Sequence, residues 1–229
     1  MKCHVFVDFD GTIALEDTTD LVLQRFADPD WLVIEEEWKA GLIGSRECMV
    51  RQIDLVRASP EEIDTLLRGV QIDPHFADFA ALCASMGYSL TVVSDGLDRN
   101  VAQVLQTAGV DLPYFANRFE WLGHDRWRLS FPHSSSTCSV LAGNCKCRLA
   151  EQAGADLRVM IGDGRSDFCV AARADMVFSK ASLTKHCLAA GIPHIAFETF
   201  AEAAELLPRW VAGRPGTPPP SSSAYRGEE

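Results

Sequence analysis

Along this chain, short apolar runs without helical spacing alternate with stretches in which apolar residues recur every three or four positions. The first run, Val5-Phe6-Val7, stops at Asp8-Phe9-Asp10-Gly11. Such β-formers predict a buried strand, with Gly11 supplying a tight turn. From about Leu15 to Leu82 the rhythm changes: Leu21, Val22, Phe26, Trp31, Ile34, Trp38, Met49, Ile53 and Ile63 follow helical intervals, and no strand is expected. The expected caps are Asp17 or Thr18, then Ser45, then Ser59 with Pro60 at the first helical position and Glu62 closing a capping box. From Asp73 helix and strand take turns. Helices are expected over 76–86, 98–108 and 144–153, each closed by a glycine, and strands over 89–93, 157–161, 176–178 and 194–197. Residues 115–121 and 126–131 flank Gly123-His124-Asp125 as a β-hairpin.

Strands alternating with helices build a parallel sheet covered on both faces. The expected fold class is therefore α/β: a Rossmann-like parallel sheet with a helical cap inserted after the first strand and a small β-hairpin. The core is expected over 1–14 and 82–212, and the cap over 15–81. Residues 213–229, with Pro215, Pro218 to Pro220 and Ser221 to Ser223, have little to bury and read as a disordered tail.

Composition narrows the partners. The 229 residues are 47% hydrophobic and carry a formal charge of −11 with no long basic run, which argues against a nucleic-acid surface. No apolar stretch approaches the roughly eighteen residues of a membrane span, and Met1-Lys2-Cys3-His4 does not open a signal segment, so the expectation is a cytoplasmic protein. Nothing in the sequence fixes an oligomeric state. The eight cysteines are scattered through apolar segments and read mostly as reduced core residues. His133, Cys138, Cys145 and Cys147 form a local group of soft ligands, but without the paired spacing of a zinc framework.

Chemistry concentrates at strand ends. Asp8 and Asp10 at the end of a buried strand are costly unless a cation meets them, and a hard divalent ion such as Mg²⁺ removes the cost. An EF-hand is excluded, because its glycine stands sixth in the loop whereas Gly11 is fourth from Asp8. A plain turn is the competing reading. Ser94 follows the 89–93 strand, and Asp163 with Asp167 follows 157–161, all on the edge where open α/β sheets bind ligands. Lys146 opens the preceding helix and offers an ammonium near the same edge, with Lys180 and Lys185 as competing cations.

This ordered set resembles the haloacid dehalogenase superfamily of phosphohydrolases. Asp8-Phe9-Asp10-Gly11-Thr12 is similar to its first motif, Ser94 to its second, Lys146 to its third, and Gly162-Asp163-Gly164-Arg165-Ser166-Asp167 to its fourth. The insertion is similar to the helical cap of the phosphoserine phosphatase branch. Phe131-Pro132-His133, Asn144-Cys145-Lys146 and Phe178-Ser179-Lys180 resemble the methionine-salvage phosphatases within it. The resemblance implies a phosphatase of a small phosphorylated metabolite. Asp8 is then the nucleophile and Asp10 the acid and base. Asp8, Asp10 and Asp163 hold Mg²⁺, Asp167 supports them, and Ser94 and Lys146 bind phosphate oxygens. Glu16, a cap arginine (Arg51, with Arg46 as the other candidate) and His133 are the expected substrate contacts. A phosphoserine phosphatase is the alternative substrate reading. A noncatalytic phosphometabolite-binding protein is the alternative class, and it leaves Asp10 beside Asp8 without a task.

Overall fold

A computed structural model describes residues 1–138 and 141–214. In chain order the elements are β1 (Cys3–Val7), α1 (Thr18–Phe26), α2 (Trp31–Lys39), α3 (Ser45–Ile53), α4 (Pro60–Leu67), α5 (Phe76–Ser85), β2 (Ser89–Leu97), α6 (Asp98–Thr107), β3 (Tyr114–Gly123), β4 (Arg126–Ser130) and α7 (Lys146–Gln152). Then come β5 (Leu157–Gly162), a 3-10 turn (Arg165–Asp167), α8 (Phe168–Ala171), β6 (Met176–Ser179), α9 (Ala181–Ala190), β7 (His194–Ala196) and α10 (Phe200–Ala212).

The seven strands form one sheet in the order β4-β3-β2-β1-β5-β6-β7, parallel except for β4. β1 lies between β2 and β5, with Phe6 beside Thr91 on one side and Met160 on the other. Alternation along each strand feeds two cores. Val5, Val7, Val159 and Ile161 join the larger core, with Phe76, Phe79 and Phe200; Phe6 and Met160 join a smaller core with Val177 and Leu183. Both faces are thus dry, as strands lacking a polar face require. The chain leaves β1 for β2 on one side and reaches β5 on the other. Sheets of this class open a ligand crevice at such a reversal.

The hairpin is part of this sheet. β3 pairs with β2 before turning back as β4, with His124 at a φ of 53° in the turn. Sequence reading set it apart because residues 114–123 lack the continuous apolar character of a buried parallel strand. β2 also runs four residues beyond its expected end, and its register with β3 shifts between Val93 and Leu97.

The inserted helices α1 to α4 leave and rejoin the sheet at one place: Leu15 N–H donates to Gln71 O at 3.0 Å and Asp73 N–H to Ile13 O at 2.9 Å. The boundary expected at residues 81 and 82 falls inside α5, which packs against α10 and β2. Asp17 caps α1 through the Thr19 and Asp20 amides, and the Ser59–Glu62 capping box opens α4 as expected. Ser45, expected to be a cap, is instead the first helical residue after Gly44. Among the bonds that join the insertion to the rest are the Arg99–Asp64 fork at 2.8 and 2.7 Å and Trp127 Nε1–H to Ala58 O at 2.8 Å. Of the expected tail, residues 215–229 lie outside the described residues. Among the described residues no helix is long and apolar enough to cross a membrane.

Candidate active site

At the carboxyl end of β1 the chain must turn within a few residues, and this sets the first two carboxylates. Asp8 is 5% exposed, and its Oδ1 accepts the Phe9 amide at 2.8 Å. Burial, then Asp167 and Asp163, raise its affinity for a proton well above the usual carboxylate range, against the opposing charge of Lys146. Asp10 turns the other way. Its Oδ1 accepts both the amide (2.8 Å) and the hydroxyl (2.7 Å) of Thr18, and its Oδ2 accepts the Ser94 hydroxyl at 3.4 Å. Burial, with Asp17 adding to it, pushes Asp10 up to about 7, although the Thr18 bonds favour its charged form.

The third carboxylate comes from the end of β5. Asp163 is oriented by the Thr12 hydroxyl at 3.0 Å, and burial followed by Asp167 raises it. Asp167 is fully buried; its Oδ2 accepts the Asp163 and Gly164 amides at 3.2 and 3.3 Å, and its Oδ1 takes the Lys146 ammonium at 2.6 Å. Lys146, at the first turn of α7, also reaches Asp8 Oδ1 at 2.7 Å and Ser166 Oγ at 3.0 Å. Burial alone lowers the affinity of that ammonium for its proton, but Asp167 and Asp8 outweigh burial and raise it.

Oxygens of Asp8, Asp163 and Asp167 lie within 4.8 Å of one another, the one such cluster of His, Cys, Asp or Glu among the described residues. Hard oxygen donors crowded at this spacing fit a divalent cation. Gly11 makes room for them. Its φ is +72°, and a Cβ there would lie 2.6 Å from Asp163 Oδ2. Gly96 serves the other side, where a Cβ would lie 2.6 Å from Asp10 Oδ2 and 3.1 Å from Ser94 Oγ.

Above this floor the insertion closes a cavity of about 520 Å³. Trp38, Ile43 and Met49 give it an apolar wall, and Asp17, Asp20 and Glu35 line another part. Arg165 also lines it and stands 5.7 Å over the Trp38 ring.

The structure thus brings together Asp8, Asp10, Ser94, Lys146, Asp163 and Asp167 from the expected set. It does not bring Glu16, Arg51 or His133 to the cavity. Glu16 is exposed while its neighbour Asp17 lines the wall. Arg51 is held by Glu37 at 2.5 Å and Glu47 at 3.6 Å, and Arg46 donates to Leu141 O at 3.1 Å. His133 packs edge-on against Phe115, and Cys145 and Cys147 lie in the smaller core with Cys138 against it; among the described residues these four do not form a metal-ligand cluster. Of the competing lysines, Lys180 donates to Thr12 O at 3.4 Å, behind the first motif. Sequence reading took Thr18 only as a helix cap and gave no role to the side chain of Asn144. The polar residues flanking each motif are the signal that marks them.

A Rossmann-like sheet with an inserted helical cap and four ordered carboxylates at its crevice defines a class of hydrolase, and the comparisons agree. The chain belongs to the haloacid dehalogenase-like hydrolase family, whose profile matches residues 5–172. Within it, the chain is similar to the 2-hydroxy-3-keto-5-methylthiopentenyl-1-phosphate phosphatase of Exiguobacterium sp. (strain ATCC BAA-1283 / AT1b), 32% identical over 87% of this chain and 94% of that one. The enzyme of that name from Geobacillus kaustophilus is 30% identical over 90% and 95%. Among solved structures, a phospho-aspartyl intermediate analogue of phosphoserine phosphatase has a TM-score of 0.68 at 20% identity, covering 90% of this chain and 98% of that one; a likeness at this identity shows the fold.

Proposed function

We propose that this protein is a Mg²⁺-dependent phosphomonoester hydrolase that works through an aspartyl-phosphate and acts on a small phosphorylated metabolite of the kind its methionine-salvage relatives are named for. Asp8 is the nucleophile: its carboxylate attacks phosphorus in line with the leaving alcohol. Asp10, with its proton affinity near neutrality, gives the alcohol its proton and then takes one from the water that cleaves the acyl phosphate. Ser94 and Lys146 bind the non-bridging oxygens, where charge spreads in the transition state. Asp8, Asp163 and the Asp10 backbone carbonyl would hold Mg²⁺, while Asp167 bonds the Asp163 amide and the Lys146 ammonium from behind. The chemistry such an ion would supply is positive charge that offsets the repulsion between the Asp8 carboxylate and the phosphate.

The observation that carries the substrate reading is the cap wall. Trp38, Ile43 and Met49 face the cavity, while the cap arginines Arg46 and Arg51 are engaged elsewhere. An apolar tail is favoured by that wall, and a substrate carboxylate has no cap guanidinium to meet it. The test is phosphate release from a panel holding 2-hydroxy-3-keto-5-methylthiopentenyl-1-phosphate, phosphoserine and sugar phosphates, with Mg²⁺ and with chelator. Metal-dependent preference for the first is expected. Preference for phosphoserine overturns the substrate reading, and release that survives chelation overturns the metal.

A further inference from the structure

We infer that Asn144 is a positioning residue that holds the Ser94 and Lys146 phosphate ligands in one fixed arrangement, by bonding the backbone where the β2–β3 ladder breaks. This rests on the phosphatase reading above, which makes Ser94 and Lys146 the phosphate ligands. The two come from elements far apart in sequence, and the main sheet does not join them. β2 and β3 pair in register at Val93 and Phe115 and again only at Leu97 and Asn117. Ser94, Asp95 and Gly96 lie within that irregularity, which re-aims side chains but interrupts regular pairing.

Asn144 enters there. It is 1% exposed, and its Nδ2 donates to Ser94 O at 2.8 Å and to Phe115 O at 2.7 Å, one carbonyl on each side of the break. Its own amide donates to Asp95 Oδ1 at 2.7 Å, and its carbonyl accepts the Lys146 amide at 3.1 Å. One residue therefore ties the Ser94 backbone to the residue that opens α7. Its side chain is not spent on the helix, which starts after Cys145 without a side-chain cap. Its Oδ1 is buried with no hydrogen-bond partner, so donation alone holds the carboxamide.

An isosteric Asn144→Asp replaces that donor with an oxygen facing two carbonyls, while Asn144→Ser keeps a small polar group and burdens folding less. Asn117→Ala is the control: Asn117 donates to Asp95 O at 2.6 Å and makes no bond to Ser94. With Mg²⁺-saturated full-length protein, orthophosphate binding by calorimetry should weaken about a hundredfold in Asn144→Asp and about tenfold in Asn144→Ser, from the loss of two buried hydrogen bonds. Mg²⁺ affinity should stay within about threefold, because no carboxylate of the metal cluster is touched, and kcat/KM should fall in step with phosphate affinity. Orthophosphate affinity within twofold of wild type in either folded Asn144 variant overturns the inference, as does an equal loss in Asn117→Ala. Wild-type protein that binds orthophosphate but hydrolyses no phosphomonoester sinks the proposed function instead, and the binding comparison still decides the role of Asn144.

Discussion

Replacing Lys146 with methionine removes a buried charge whose partners stay in place. The ammonium is 2% exposed and lies 2.7 Å from Asp8 and 2.6 Å from Asp167, both buried. At an effective dielectric of about 20, a pair of unit charges at that separation is worth about 6 kcal/mol. Desolvation of the lysine offsets much of this, so the expected net loss of stability is about 3–5 kcal/mol without Mg²⁺, a large share of a typical domain's total. The loss depends on pH with a definite sign. Lys146 opposes the rise in the proton affinity of Asp8, so in the variant that affinity rises further. A folded pKa raised above the unfolded one means the native state holds the extra proton, and stability then increases as pH falls through the folded value. Urea unfolding at several pH values is the assay, with the greatest difference from wild type expected near pH 8 and a smaller one near pH 5. A variant within about 1 kcal/mol of wild type at pH 8, or a penalty that grows toward acid, refutes the electrostatic reasoning.

Other expectations follow from single contacts. In the proposed mechanism Asp10 must be protonated to act as the acid, so kcat should fall as pH rises through about 7. Thr18→Val removes a hydroxyl bond that favours the charged form of Asp10, so the alkaline limb of the pH–rate profile should move up by roughly one unit; an unmoved or lowered limb removes Asp10 from that role. Gly96→Ala drives a methyl against Asp10 Oδ2 and Ser94 Oγ, and steady-state kinetics should show kcat/KM reduced by about a hundredfold or more. Arg51→Ala breaks only its pairing with Glu37 and Glu47, so KM for the preferred substrate should stay within about twofold; a larger rise returns Arg51 to the substrate.

The placement of the carboxylates was legible because strand ends are. An apolar run that stops at Asp8 or Ile161 fixes both the end of a buried strand and the polar group beyond it, and a parallel sheet brings such ends to one edge. Lys146 was found through its motif, since a lysine opening a helix carries no periodic signal of its own. Arg51 shows the opposite case. Its partner Glu37 lies on a different cap helix, and side-chain direction depends on how α2 and α3 cross, which helical spacing does not encode. The break in the β2–β3 ladder was equally out of reach, and with it the work of Asn144. An asparagine just ahead of a helix reads as a start signal, whereas here its carboxamide bonds two carbonyls of the sheet.

The cavity is acidic. Asp8, Asp10, Asp17, Asp20, Glu35, Asp95 and Asp163 line it, and Arg165 is the one cation among the described lining residues. The Lys146 ammonium is already met by Asp8 and Asp167. On the proposed phosphatase reading, a phosphate dianion entering such a cavity meets acidic groups and little free positive charge, so a divalent ion is expected to serve binding as well as turnover. A metal acting on chemistry alone leaves ground-state affinity unchanged when it is removed. One acting as counter-charge does not: chelation should weaken orthophosphate binding by about a hundredfold or more, the order of a few kcal/mol of lost charge neutralisation. Calorimetry on the full chain with Mg²⁺ and with chelator separates the two. Equal orthophosphate affinity in both conditions confines the ion to the chemical step and leaves Ser94 and Lys146 as sufficient phosphate ligands by themselves.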